Sequence, residues 1–141
     1  ENLVEFAIDF FGKFYSNLGD RPAPRNVRQW FKVILEGFEE MLVHTEKYPF
    51  IVPVYFKYIS QPTPIGARIR QIEEVFEKVS AVEIQHCLKL SQTESAELSK
   101  ILISMRMALA HRWLMTSKKS PEARKKLIEI LRRILTASIR D

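Results

Sequence analysis

The stretch that most constrains this chain is Thr93–Met115, a run with helical patterning that is apolar on two faces. At about 100° per residue, Leu98, Ile101, Leu102, Met105 and Leu109 form one stripe, and Ile103, Met107, Ala110 and Leu114 form a second on the far side. One stripe is sealed by one neighbour, but two stripes require two. The run after it, Ser120–Ile139, carries Leu127, Ile128, Ile130, Leu131, Ile134, Leu135 and Ile139, an arc wider than the stripe of about 100° that docking on one's own domain needs. The surplus points to a partner subunit meeting Ile103, Met107, Ala110, Leu114, Leu127, Leu131, Ile134 and Leu135. A helix sandwiched inside a larger bundle is the competing reading.

The chain is long enough, at 141 residues, to bury a core as one domain without staples. With 46% apolar residues and only four glycines it reads as globular and all-helical, not fibrous or disordered. No apolar run approaches the ~18 residues of a membrane span, and no secretory cleavage pattern follows a short one. Cys87 has no second cysteine to pair with, which fits a reducing compartment. The expectation is a soluble, cytoplasmic protein without a membrane partner. Much of the net charge of +5 lies after Thr116. Aromatics that would stack bases are missing from that segment, so Lys125, Lys126, Arg132 and Arg133 read as a solvated face, not a nucleic-acid surface. The chain opens on Glu1 and not on Met, so arguments from absence allow for residues upstream.

In order, Glu1–Leu18 is patterned as a strongly apolar helix, and Gly19-Asp20-Arg21-Pro22-Ala23-Pro24 separates it from a second over Arg25–Lys47. Gly37 interrupts the apolar face of that second helix. Either a neighbour approaches closely there or a cavity is left open. A short third helix spans Phe50–Ile59, with an irregular first turn expected at Pro53. Gln61-Pro62-Thr63-Pro64 leads into a fourth helix, Ile65–Leu90, whose stripe of Ile69, Ile72, Phe76, Val79 and Leu90 also holds Glu83 and His86. Ser91-Gln92-Thr93-Glu94 is a capping signature for the fifth helix, and Ser120-Pro121 supplies an N-cap and a first-turn proline for the sixth.

Motifs for catalysis are sparse. Glu83-Ile84-Gln85-His86 has the Glu-x-x-His spacing of helical di-iron sites, but such sites need a second copy, and Met41 and Ala108 stand where His44 and His111 would require glutamates. No glycine loop for phosphate, paired-cysteine zinc spacing or nucleophile elbow is present. Cys87 beside His86 is either a responsive thiol or a buried inert one, and residues adjacent on a helix point about 100° apart. The expectation is therefore no enzyme, no metal and no cofactor. Aromatics concentrate in helices two to four, where they either fill a core or wall a small-molecule cavity. The expected wall is Trp30, Phe38, Met41, Tyr55, Phe76 and Met105, with His86, Tyr58 or His111 as polar handles. No buried counter-charge is evident, so a largely apolar or aromatic ligand is expected.

Taken together these segments resemble the C-terminal ligand-binding and dimerisation domain of TetR-family (tetracycline-repressor-like) transcriptional regulators. Glu1-Asn2-Leu3 entering a Phe-rich helix is similar to the Lys-Glu-x-Leu junction that leaves that family's helix-turn-helix. Pro24-Arg25, Phe38 and His44-Thr45-Glu46-Lys47-Tyr48-Pro49 resemble its long helix and His/Pro turn. Ala108-Leu109-Ala110-His111-Arg112-Trp113-Leu114 resembles the end of its dimer helix. The resemblance spans essentially the whole chain and lacks the DNA-reading domain, which would precede Glu1. It implies that residues 1–141 are an effector-sensing domain, with the last two helices of two subunits forming a four-helix dimer interface and a pocket among helices one to five. A small hydrophobic effector would shift helix one, and DNA would be reached only through the absent domain. A helical protein-interaction module with a solid core is the alternative.

Overall fold

The computed structural model describes the backbone of residues 2–140 and the side chains of residues 3–137. The Glu1-Asn2 junction and Ile139 of the expected apolar arc lie outside the described side chains. Six helices follow one another: α1 (Asn2–Gly19), α2 (Val27–Lys47), α3 (Ile51–Tyr58), α4 (Pro64–Leu88), α5 (Gln92–Leu114) and α6 (Pro121–Arg140). No strand occurs among the described residues, so the chain is a single all-α bundle.

Caps fix most of the helix starts. Asn26 accepts from the Gln29 amide and opens α2 two residues later than the Pro24-Arg25 turn had implied. Thr63 caps α4 with Pro64 in its first turn, and Ser91 and Glu94 form a reciprocal capping box on α5. Ser120 Oγ accepts from the Ala123 amide at the start of α6. The irregular turn expected at Pro53 is absent, because α3 starts at Ile51 and puts Pro53 among the first-turn residues whose N–H has no helical partner. Gly66 marks where α4 meets the end of α3, since a Cβ there would lie 2.4 Å from the Gln61 carbonyl oxygen and 2.5 Å from that of Tyr58. Arg70 holds the same corner by donating to the carbonyls of Ile59 and Gln61, both at 2.8 Å.

Two apolar clusters fill the interior. The first gathers Phe11, Phe14 and Tyr15 of α1, Met41 of α2, Ile51 and Tyr55 of α3, Ile69 of α4 and Met107 and Ala110 of α5. The second gathers Trp30, Ile34 and Phe38 of α2, Ile84 and Cys87 of α4, Leu102 of α5 and Leu131 and Leu135 of α6. Thus α5 runs between them and, apart from Ile101, which stays exposed, gives Leu98, Leu102, Met105 and Leu109 to the second and Met107, Ala110 and Leu114 to the first. This corrects the interface assignment for Ile103, Met107 and Ala110, which are 3%, 1% and 0% exposed within the single chain. Leu114 packs half-buried on the first cluster. The sandwiched reading holds for α5.

On α6, Leu131 and Leu135 are also used internally, whereas Ile130 and Ile134 are 46% and 54% exposed and Leu127 is half-buried. Glu46 anchors the start of α6: its Oε2 accepts from Trp113 Nε1 at 3.1 Å and from Arg124 Nη1 at 2.8 Å. Lys125, Lys126, Arg132 and Arg133 are exposed, and Glu129 pairs with both arginines. The hydrogen bonds from Arg132 hold that carboxyl at about 2.

Candidate functional site

The residues expected to wall a common pocket do not enclose one. Trp30 and Phe38 are buried in the second cluster with Met105 packed on it, while Met41 and Tyr55 are buried in the first with Phe76 packed on it. Among the described residues these side chains pack into two separate clusters and do not line one common cavity. The three expected polar handles are also dispersed. His86 is exposed near the end of α4, Tyr58 is half-buried on α3, and His111 is exposed on α5 with its ring edge-on to Phe56. Neither helix face nor burial brings His86 into the seam, because the buried face of α4 runs through Ile69, Ser80, Ile84 and Cys87. Cys87 is buried and its Sγ donates to the Pro24 carbonyl at 3.3 Å; burial pushes the thiol up, so it is the inert kind. Among the described residues no three of His, Cys, Asp and Glu converge as a metal site would need.

What lies between the two clusters is a charge. Arg106 of α5 is 3% exposed, and it shares a buried helix face with Ser95, Ser99, Ala110 and Trp113. The serines let α4 and α5 pack closely, and Ser99 Oγ donates to the Glu77 carbonyl at 2.9 Å. Gly37 of α2 makes room from the other side: a Cβ there would already lie 3.4 Å from Arg106 Nη2. Of the two readings of Gly37, close approach of a neighbour is the correct one.

Three rings surround the guanidinium, with its carbon 5.5 Å from the centroids of Phe38 and Phe76 and 6.0 Å from that of Tyr15. Arg106 makes no ion pair within 4.0 Å among the described residues, and neither its Nε nor its Nη1 has a hydrogen-bond partner. Tyr15 Oη, also buried, has none of good geometry either. Cation–π contacts offer about 2 kcal/mol when desolvated, whereas burying an isolated ion costs several kcal/mol. The rings therefore offset only part of the cost. An arginine cannot escape by deprotonating, so this interior retains a positive charge with no carboxylate of the described residues in ion-pair contact.

The groups around it respond to that environment. Burial pulls Arg106 down from its ordinary value, opposed by Tyr15 and then Glu73. Burial pushes the Tyr15 phenol up, with Arg106 working against it. Tyr55 donates to Glu73 Oε2 at 2.5 Å, and burial together with that bond raises the Tyr55 phenol. Glu73 is itself raised by burial, with the Tyr55 bond opposing and the charge of Glu77 adding.

Space adjoins this cation on one side. A cavity of about 20 Å³, the size of one water, lies against Arg106 and is bounded by Gly19, Phe76, Val79, Ser80 and Glu83. Gly19, Phe76 and Val79 also border a larger groove of about 470 Å³ between α1 and α4. Its α1 side has Gly12, Ser16 and Gly19 beside Tyr15, with Asp20 just beyond, and its α4 side is largely apolar, with Ile72, Val75, Phe76 and Val79 beside Gln71. A side chain on Gly19 would meet nothing within 4 Å.

Arg106 overturns the premise that no buried counter-charge exists, and with it the physical reason for expecting an uncharged ligand. The signal was present in the sequence: Arg106 sits between Met105 and Met107, three residues after Ile103 and four before Ala110, inside an apolar stripe. That is the pattern by which Glu83 and His86 had been singled out. The molecule is thus an all-helical bundle with a buried cation among three aromatic rings, beside a groove between α1 and α4. Against known proteins, the chain matches no family model, no curated protein and no solved structure.

Proposed function

We propose that this chain is a small-molecule-sensing domain, the effector-binding and dimerisation part of a TetR-like transcriptional regulator. The observation that carries the sensing part is Arg106, a buried charge whose Nε and Nη1 have no hydrogen bond and which has no ion pair within 4.0 Å among the described residues, where α1, α2, α4 and α5 converge. The ring contacts offset only part of the cost of burying such a group, and apolar residues of similar volume often stabilise a core as well or better. The TetR-like part rests on the sequence resemblance and the order of the helices. In this reading a ligand enters the groove between α1 and α4 and biases the position of α1, the helix that would carry a DNA-reading domain. A homodimer would form through the outer edge of α6, where Ile130 is exposed.

A second reading is favoured by a different observation. The aromatics expected to wall a cavity are packed into filled clusters, as in a helical interaction module with a solid core. A thermal-shift screen of small organic molecules separates the two. The sensor reading expects hits that stabilise the chain and are lost in Gly19→Leu, which fills the groove; mass action gives about 2.7 kcal/mol at one hundred times the dissociation constant. A screen without any such hit would favour the interaction module.

A further inference from the structure

We infer that the site takes an apolar monocarboxylate, its carboxylate neutralising Arg106 and its tail lying in the groove between α1 and α4. The inference rests on the sensing reading and adds to it the chemical class of the ligand.

Charge sets the head group. Nε and Nη1 of Arg106 are donors without partners in a nearly dry interior, and a carboxylate is the small organic anion that accepts from a guanidinium with matched geometry. One negative charge is enough. Glu73 lies within electrostatic reach of Arg106, and Glu83 borders the small cavity, so a dianion would meet repulsion from both. Glu77 adds to this negative side from the same helix, while Arg21 contributes a second, more distant positive charge.

Shape sets the tail. The small cavity alone holds about one water, too little for an organic acid. Its borders Gly19, Phe76 and Val79 are shared with the larger groove, so a head group reaching Arg106 leaves the rest of the molecule between small α1 residues and the valines of α4. Phe76 stands at that junction, half-buried, with its ring 4.8 Å from that of Tyr15. Because Phe76 lines both spaces, a ligand spanning them requires its side chain to turn. Along α4 the groove is lined by Ile72, Val75, Phe76 and Val79 with Gln71 at one side, it has no lysine or arginine, and Asp20 just after α1 would repel a second negative charge, so the tail it fits is uncharged.

The test uses decanoate, 4-phenylbutyrate and, as the neutral control of matched length, decanol, each below its aggregation limit. Binding is followed by calorimetry on the whole chain and on Arg106→Met and Gly19→Leu. The expected result is that one or both acids bind, that decanol is weaker by about ten- to hundredfold, and that Arg106→Met removes the same factor. Gly19→Leu should abolish acid binding while leaving Arg106 in place, so the inference remains testable if Arg106→Met does not fold. Decanol binding as well as decanoate, or acids binding equally to Arg106→Met, would overturn the carboxylate and leave the sensing reading intact. No binding by acids or alcohol, together with no hit from a neutral library, would overturn both.

Discussion

Helices α5 and α6 both carry more apolar surface than one neighbour can cover, yet they use it differently. Apart from Ile101, which is 52% exposed, the two stripes of α5 are buried or half-buried within the same chain, whereas α6 uses Leu131 and Leu135 inward and leaves Ile130 in contact with solvent. The polar residues on each helix account for the difference. On its buried faces α5 has Ser95 and Ser99, which pack closely, and Arg106 caged by rings, while Lys100 and Arg112 stay exposed. By contrast α6 has Lys125, Lys126, Arg132 and Arg133, long chains whose charges stay in water. An apolar arc thus says how much surface must be covered, and the residues between its members say by what.

The contrast can be broken most sharply at Met107. Met107→Asp places an unpaired charge in the first cluster and should cost more than about 4 kcal/mol, unfolding the chain in circular dichroism. A folded variant would mean that this stripe is a surface. Leu131→Ala, on the inner edge of α6, should cost about 2–4 kcal/mol in denaturant unfolding, since it leaves a cavity against Trp30 and Phe38. A loss below 1 kcal/mol would place α6 outside the core. On the outer edge, Ile130→Glu should change unfolding by less than about 0.5 kcal/mol while shifting a dimer to monomer in sedimentation. An unchanged sedimentation profile as a stable dimer would move the interface elsewhere.

The boundary between inside and outside also runs along α4, where Glu83 is half-buried and burial raises its carboxyl above the ordinary value. A folded-state value above the unfolded one means that the folded chain binds more protons between the two, so stability falls as pH rises from about 4.5 through the raised value. Glu83→Gln removes that loss and should stabilise at pH 7 by less than about 1 kcal/mol, with no gain at pH 4. Equal gains at both pH values would show that the effect is not electrostatic.

Helix boundaries were legible because capping chemistry is local. Ser91 with Glu94 and Ser120 with Pro121 each name a start, whereas Thr63 with Pro64, legible only as part of a connector, caps α4 by the same chemistry. The inward face of a long helix was less legible. The stripe Ile69, Ile72, Phe76, Val79, Glu83 and His86 advances by 3.5 residues per turn and drifts off the axis, reaching His86 about 100° from Ile69. Cys87 is 18 residues from Ile69, about five whole turns, so it returns to the buried face while His86 turns outward. The site was illegible for another reason. Tyr15, Phe38, Phe76 and Arg106 come from four helices, and only their packing shows that one cation lies among three rings.

The central claim, that Arg106 is held in the interior for a ligand and not for the fold, is tested most directly by denaturant unfolding of Arg106→Met. Methionine is apolar and flexible enough to occupy the same space between Phe38 and Phe76. If the charge is carried at a cost, the variant should be as stable as the parent or more stable by about 1–4 kcal/mol. A loss of about 3 kcal/mol or more would show that the guanidinium is part of what holds the bundle together, and would contradict the account.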